Sequence, residues 1–403
     1  MALVQKQFSD LITFTRSSAG GRFNDRGLFE MVPANQPRFD YDPITRQPLG
    51  LLIEENRTNL IVNSSDYSLW NNNGAGASLV IAPSQSDGPL GLSTMSRISR
   101  DDLGIRYLTR SFASAAGSTI TASQHAKAGV IGGWLAMRVQ TNYANRVDAF
   151  FNLITGDFSY ATTGDVSAVS ARMVPVGGGV WRCICTATSG AVPWSSILLA
   201  PQDRRGAVDI SPAERSEVFL DATQVEVGSF ETSFIPTGGS QVTRTSDIAR
   251  VSTLSPWYNR SEGTMFAVFK PAASRTTEFR AIMSLDDGTA RNRLQAYMAA
   301  PAGNAEFRAS SGDISVPVPS IPAAYPPNIN KLGKSALSYD SKGLTGVAGS
   351  VLSKARIAFT PPEVTSLKIG SNQSQSQLLN GHILSISYYP RRLTDSELEA
   401  LTT

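Results

Sequence analysis

Apolar positions along most of this chain recur at a period close to two, in short runs separated by Gly, Asn and Ser turns, which predicts an all-β protein. Between residues 61 and about 250 such runs dominate. In Trp181-Arg182-Cys183-Ile184-Cys185-Thr186-Ala187 one face carries Trp181, Cys183, Cys185 and Ala187. The stretch from Val218 to Val227 is longer and apolar on both faces in its first half, the pattern of a central strand between packed layers. A second β module starts after a linker near Ser252–Ser261, where Met265-Phe266-Ala267-Val268-Phe269 opens a new strand. Further strands are predicted at 279–285, 294–298, 336–339, 367–369 and 383–389. At the C-terminus Thr394 and Glu397 stand in capping-box register, with Leu393 and Leu398 as a hydrophobic staple, so a short helix over 394–401 is expected.

The first 60 residues behave differently. Pro33, Pro37, Pro43, Pro48 and the Gly20-Gly21 and Asn24-Asp25 turns interrupt them, and Phe23, Leu28, Phe29, Phe39 and Tyr41 fit no helical period. This predicts an extended arm with small hairpins. Its apolar residues need burial against the chain's own sandwich or against another subunit.

The 403 residues suggest two or three domains. Charged residues are 17% of the chain, against about 25% in ordinary globular proteins. A net charge of +3 with no basic run argues against a dedicated nucleic-acid surface. No stretch approaches the roughly 20 apolar residues of a membrane-spanning helix, and Met1–Gln7 lacks the apolar core of a secretory leader. Cys183 and Cys185, two apart on one strand, point to the same face and read as buried small hydrophobes in a reducing compartment. His125 and His382 are the two histidines, with no His/Cys cluster at metal-ligand spacing.

Three groups of residues resemble a recurrent signature of bacteriophage virion proteins. The first is Phe14-Thr15-Arg16 with Asn24-Asp25-Arg26-Gly27. The second is Pro37-Arg38-Phe39-Asp40-Tyr41-Asp42-Pro43 followed by Gly50-Leu51-Leu52-Ile53-Glu54-Glu55-Asn56-Arg57-Thr58-Asn59-Leu60. The third is Thr232-Ser233-Phe234-Ile235-Pro236-Thr237 with Val242-Thr243-Arg244-Thr245-Ser246-Asp247. Proteins of this look are tail, collar or head-fibre components with lectin-like sandwiches, and the pattern brings no catalytic residues. The resemblance implies a virion-attachment arm over 1–60, in which Phe14, Arg16, Arg38, Phe39 and Tyr41 dock onto other virion proteins. Residues 61–250 are similar to a carbohydrate-binding-module jelly roll, departing from it at Phe234 and in the Pro201–Pro212 insertion. Residues 251–403 resemble a laminin-G or concanavalin-like sandwich in layout.

The function this implies is non-enzymatic attachment to a host surface glycan by a homotrimer in the virion, assembled in the host bacterial cytoplasm. The alternatives are a structural decoration of head, collar or tail, and an enzyme degrading surface polysaccharide. For a glycan the candidate contacts are Asp286, Asp287, Arg291 and Arg293 on a predicted hairpin, where donors and acceptors meet on a loop. Paired Asp286 and Asp287 also admit Ca2+ as a cofactor, although Asp-Gly hairpins often do no more than reverse the chain. Trp194 and Trp70, in loop-like surroundings, are candidate stacking platforms, with core packing as the plainer reading.

Overall fold

The computed structural model describes residues 8–74, 79–271, 279–299, 303–325 and 332–403. Met1–Gln7 lies outside them. The chain is nearly all antiparallel β, as the two-residue periodicity predicts, with a C-terminal helix at Asp395–Thr402. Both halves of its capping box are made: Thr394 Oγ1 accepts from the Glu397 amide, and Glu397 Oε2 accepts from the Thr394 amide at 2.8 Å. Leu393 and Leu398 are buried with Phe266, Ala336 and Val347, pinning the helix to the sheet. No helix among the described residues is long and apolar enough to cross a membrane.

Two six-stranded sheets form the first sandwich. One runs, in spatial order, Phe158–Thr163, Asn145–Asn152, Trp134–Asn142, Ser196–Gln202, Arg106–Ser111 and Asn71–Gly74. The other runs Val166–Gly177, Val180–Ser189, Thr119–Ala128, Ser216–Val227, Gly91–Arg100 and Val80–Gly88. Alternation places Cys183, Cys185, Ala187, Ala122, Val218, Leu220 and Val225 of this second sheet in the shared core. Both cysteines are free and buried. The Pro201–Pro212 insertion folds back over the outer face of the first sheet. Val208 is buried there against Ala136, Leu198 and Ala200, and Asp209 pairs with Arg138 at 2.8 Å.

The second sandwich has two seven-stranded sheets, and strands of the first 60 residues are built into both. The Thr13–Thr15 strand pairs with Ile248–Val251 at the edge of one sheet. Pro48–Ile53 pairs with Gly381–Tyr389, and Phe39–Tyr41 extends that other sheet by one more strand. Phe14, Leu51 and Ile53 lie in the same core as Phe269, Leu337 and Phe307. The physical reason is satisfaction of the backbone: a short proline-bounded strand has no partner of its own, and an existing sheet edge supplies one. The Gly20–Phe23/Phe29–Val32 hairpin and the Arg57–Asn59/Val242–Arg244 pair belong to neither sandwich's sheets.

The Gly20–Val32 hairpin and the 229–237 segment fill the space between the sandwiches. They cover the outer face of the first sandwich's second sheet, whose polar side chains they satisfy. Ile235 N–H donates to Gln224 Oε1 at 2.7 Å, Thr232 N–H to Glu226 Oε1 at 2.6 Å, and Phe29 packs on Phe234 with centroids 5.9 Å apart.

Candidate ligand site at the junction of the sandwiches

The residues that carry the virion-protein resemblance converge here into one buried ionic brace. Arg16 Nη1 lies 2.9 Å from Asp247 Oδ1, and Arg38 bonds Asp247 Oδ2. Glu54 Oε2 takes Arg38 at 2.8 Å and Arg244 at 2.6 Å, while the Ser233 amide and hydroxyl both donate to Glu54 at 2.7 Å. Glu54 and Asp247 also exchange backbone contacts, Asp247 N–H to Glu54 O at 2.9 Å and Glu54 N–H to Asp247 Oδ2 at 3.0 Å. Three guanidiniums thus face two carboxylates. The excess charge of Arg16 spreads over the carbonyls of Ser18 (2.9 Å), Val32 (3.1 Å) and Pro33 (2.8 Å). Burial works to raise the Glu54 pKa, but Arg244 and Arg38 outweigh it and hold the carboxyl well below its ordinary range.

This brace corrects the docking assignment. Arg16 and Arg38 are fully enclosed and Phe14 is core, so none of the three can meet a partner surface. Phe39 is exposed and Tyr41 half-exposed. Tyr41 turns instead toward a cleft of about 250 Å³ beside the brace.

Four elements wall that cleft. The first sandwich contributes His125, Val174–Val176 and Arg182, the N-terminal strands Phe23 and Asp40–Pro43, the connecting segment Glu231–Phe234, and the second sandwich Lys270, Pro271 and His382. Lys270, His382 and Leu52 are cross-strand neighbours on adjacent strands, which puts their side chains on one face. Asp40 accepts from the Phe23 amide at 2.7 Å and sits 2.8 Å from His382 Nε2. On the opposite wall Arg182 donates to Thr232 O at 2.8 Å and Ser123 Oγ at 3.0 Å. His125 is buried, its pKa pushed down to about 3 by desolvation and then by neighbouring Arg182, so it is neutral at pH 7. Its Nδ1 has no hydrogen-bond partner among the described residues. Phe23, Phe29, Phe234 and Tyr41 supply ring surface between these polar groups.

Ser233 Oγ is bound to Glu54 at 2.7 Å and Thr232 Oγ1 to Glu226 at 2.8 Å, so neither hydroxyl faces a histidine base. Sequence reasoning missed the cleft. His382 and Asp40 are 342 residues apart, and the signal at hand, the Asp40-Tyr41-Asp42 signature, does not say what it faces.

The hairpin residues do not assemble a site. Asp286 is fully buried, accepting from Lys368 Nζ at 3.0 Å and Ser284 Oγ at 2.6 Å. Asp287 caps its own turn through Thr289 N–H at 2.8 Å and Asn292 Nδ2 at 2.8 Å. Arg291 pairs with exposed Asp313 at 2.7 Å, and Arg293 leans on Ser310. A calcium ion does not fit either, since the Lys368 ammonium already neutralises Asp286, and no group of three metal-ligating side chains occurs among the described residues. Trp194 and Trp70 are 1% and 4% exposed, their indole N–H groups donating at 3.0 Å to Ser118 O and Asn63 O respectively. Both are core residues, with no ring face to offer a ligand.

No protein-family model matches the chain, and no curated protein sequence matches it. Among solved structures the chain is similar to the Ruminococcus gnavus IT-sialidase CBM40, at 19% identity and TM-score 0.31, over 36% of this chain and 84% of that one. It is also similar to the mouse laminin alpha1 chain, domains LG4-5, at 8% identity and TM-score 0.28, over 70% of this chain and 86% of that one. A Trypanosoma rangeli sialidase in complex with the inhibitor DANA aligns at 10% identity and TM-score 0.27, over 76% and 60%.

Proposed function

We propose that this protein is a non-catalytic, glycan-binding attachment protein of a bacteriophage particle, acting as a homotrimer, with the junction cleft as its sugar site. The observation that carries the glycan reading is the composition of the cleft walls. Ring faces of Tyr41 and Phe23 alternate with Asp42, Lys270, His382 and Glu231, the mixture a pyranose needs for its C–H face and its hydroxyls. The particle context rests on the signature residues alone. A serine or threonine nucleophile is disfavoured by the engaged Ser233 and Thr232 hydroxyls. A single shallow site of this kind binds weakly, and three copies on one fibre raise the avidity without new contacts.

The test is a binding titration of the full chain against host envelope polysaccharide, with Lys270→Ala and Tyr41→Ala as variants. Both side chains are half-buried and Lys270 lies in the field of half-exposed Asp42, so the thermal midpoint should fall little. Losing a charge-assisted hydrogen bond costs about 1.5–3 kcal/mol, roughly a 10- to 150-fold weakening. Unchanged binding in both variants removes the cleft from the function. Release of new reducing ends from the polysaccharide, in proportion to protein added, replaces adhesion by degradation.

A further inference from the structure

One wall of the junction cleft carries two buried polar atoms without a partner. His125 is 4% exposed, and its Nδ1 has no hydrogen-bond partner among the described residues; the same holds for the buried Nε of Arg182. Both residues line the cleft. They are direct partners on the adjacent strands Thr119–Ala128 and Val180–Ser189, so their side chains leave the sheet side by side. Arg182 is held in place by its Nη2, which donates to Thr232 O at 2.8 Å and to Ser123 Oγ at 3.0 Å, and this fixes the direction of its Nε–H. The His125 ring is hydrogen-bonded to the Ala222 backbone carbonyl, on the strand that flanks it on the other side. Because Nδ1 is the nitrogen without a partner, Nε2 is the donor in that bond, and Nδ1, across the ring from it, presents a bare lone pair.

A fixed donor beside a bare acceptor has a narrow complement. A hydroxyl satisfies both, accepting from Arg182 Nε–H and donating to His125 Nδ1. A carboxylate has no proton to donate and would set its lone pairs against that of Nδ1, and an ammonium has no lone pair for the Nε–H. A trans secondary amide points its N–H and C=O in opposite directions, so it meets one of the two atoms and misses the other. Desolvation, and then neighbouring Arg182, hold the His125 pKa down at about 3, which keeps the lone pair available at pH 7.

The charges around the cleft are matched one against another. Asp40 lies 2.8 Å from His382, Glu231 pairs with Arg172, and Arg22 pairs with Glu30 at 2.7 Å. Asp42 accepts from the Ile44 and Thr45 amides at 2.9 and 2.8 Å and lies in the field of Lys270. Glu54 is bound by Arg38 and Arg244, and Arg182 lies in the field of Glu231, Glu226 and Glu54. A ligand that brought its own charge into this wall would either stay unpaired or break a pair, and both are costly away from water. Resting on the glycan reading above, we infer that the cleft selects neutral sugars over acidic and amino sugars, with His125 Nδ1 and Arg182 Nε together reading one sugar hydroxyl.

The experiment is a ligand-observed NMR titration of the full chain with the methyl glycosides of glucose, galactose and mannose, with glucuronate and glucosamine, and with the monodeoxy analogues of the glycoside that binds best. A neutral glycoside should bind, and both charged sugars should bind at least tenfold more weakly. One monodeoxy analogue should lose about ten- to a hundredfold, the effect of leaving a buried donor and acceptor unpaired. In His125→Phe the parent glycoside and that analogue should differ by less than twofold. Because the chain has two histidines, 15N-histidine labelling reports on His125 without any substitution. Its Nδ1 resonance should move upfield on saturation with the parent glycoside and stay in place with the deoxy analogue. A charged sugar that binds as tightly as the neutral ones, a deoxy series with no loss above twofold, or an Nδ1 resonance that does not move overturns this inference, and the cleft remains the sugar site if Lys270→Ala still weakens binding. If none of these sugars binds, the inference is overturned whatever the envelope polysaccharide does; if the polysaccharide fails to bind as well, the glycan reading falls with it.

Discussion

Replacing Glu54 by Gln removes one negative charge from the brace while keeping its shape. Three guanidiniums would then face Asp247 alone, and Arg38 and Arg244, both fully enclosed, would lose their shared partner. The amide nitrogen of Gln would also meet donors, since Ser233 N–H and Oγ each point at a Glu54 oxygen from 2.7 Å. Breaking a buried ion pair from one side costs about 3–5 kcal/mol, far above the 0–1 kcal/mol typical of exposed pairs. If the whole chain melts as one unit, its unfolding entropy is roughly 0.8 kcal/mol per kelvin, and the midpoint should fall by about 4–6 °C. Urea unfolding followed by fluorescence and calorimetry together measure this. The pH dependence supplies a second check. The folded-state pKa of Glu54 lies below its ordinary 4.5, so its contribution is complete above that value and is lost as pH falls through the folded pKa. The variant should therefore lose stability at pH 7 and show a shallower acid limb below about pH 4.5. A loss under about 1 kcal/mol at pH 7, or an acid limb parallel to the wild type, refutes the reasoning.

His125 gives a different pH window: the unfolded chain takes its proton near 6.5 while the folded one resists to about 3, so stability drops as pH falls between them, by about 1.4 kcal/mol per unit. His125→Gln should remove that slope in urea titrations between pH 6 and 4, and unchanged slopes would contradict it. Trp194→Ala should destabilise by about 3–5 kcal/mol through an internal cavity, read by denaturant midpoint, whereas a surface platform would lose almost nothing. Burial pushes the Cys185 thiol up to about 12, so the folded protein should resist iodoacetamide at pH 8 and react only after unfolding.

Much of the fold was legible because alternation is a local signal. Trp181, Cys183, Cys185 and Ala187 share the core-facing side of one strand, and the Leu393-Thr394 to Leu398 pattern forms its capped helix as read. The N-terminal strands were hidden for a physical reason. Thr13–Thr15 and Phe39–Tyr41 have three residues each, too few to show a period, and their edges belong to partners more than 200 residues away or to strands they lengthen. The tryptophans misled because Trp70 and Trp194 neighbour Asn, Pro and Gly. Turn-like sequence beside a core is compatible with an indole turned inward when its N–H finds a carbonyl, as both do.

The signature residues carry the larger lesson. Arg16, Arg38, Glu54, Arg244 and Asp247 are charged and flank prolines or turns, so composition alone assigns them to a surface. Their burial depends on pairs spanning 231 residues from Arg16 to Asp247 and 190 from Arg244 to Glu54. A pattern of this kind constrains a junction and says little about a partner. It follows that the brace and the proposed sugar cleft are linked by position. Glu54 holds the brace and also lines the 250 Å³ cleft. Loosening the brace should displace that wall, so Glu54→Gln is expected to weaken glycan binding as well as lower stability, while Lys270→Ala weakens binding at a nearly unchanged thermal midpoint.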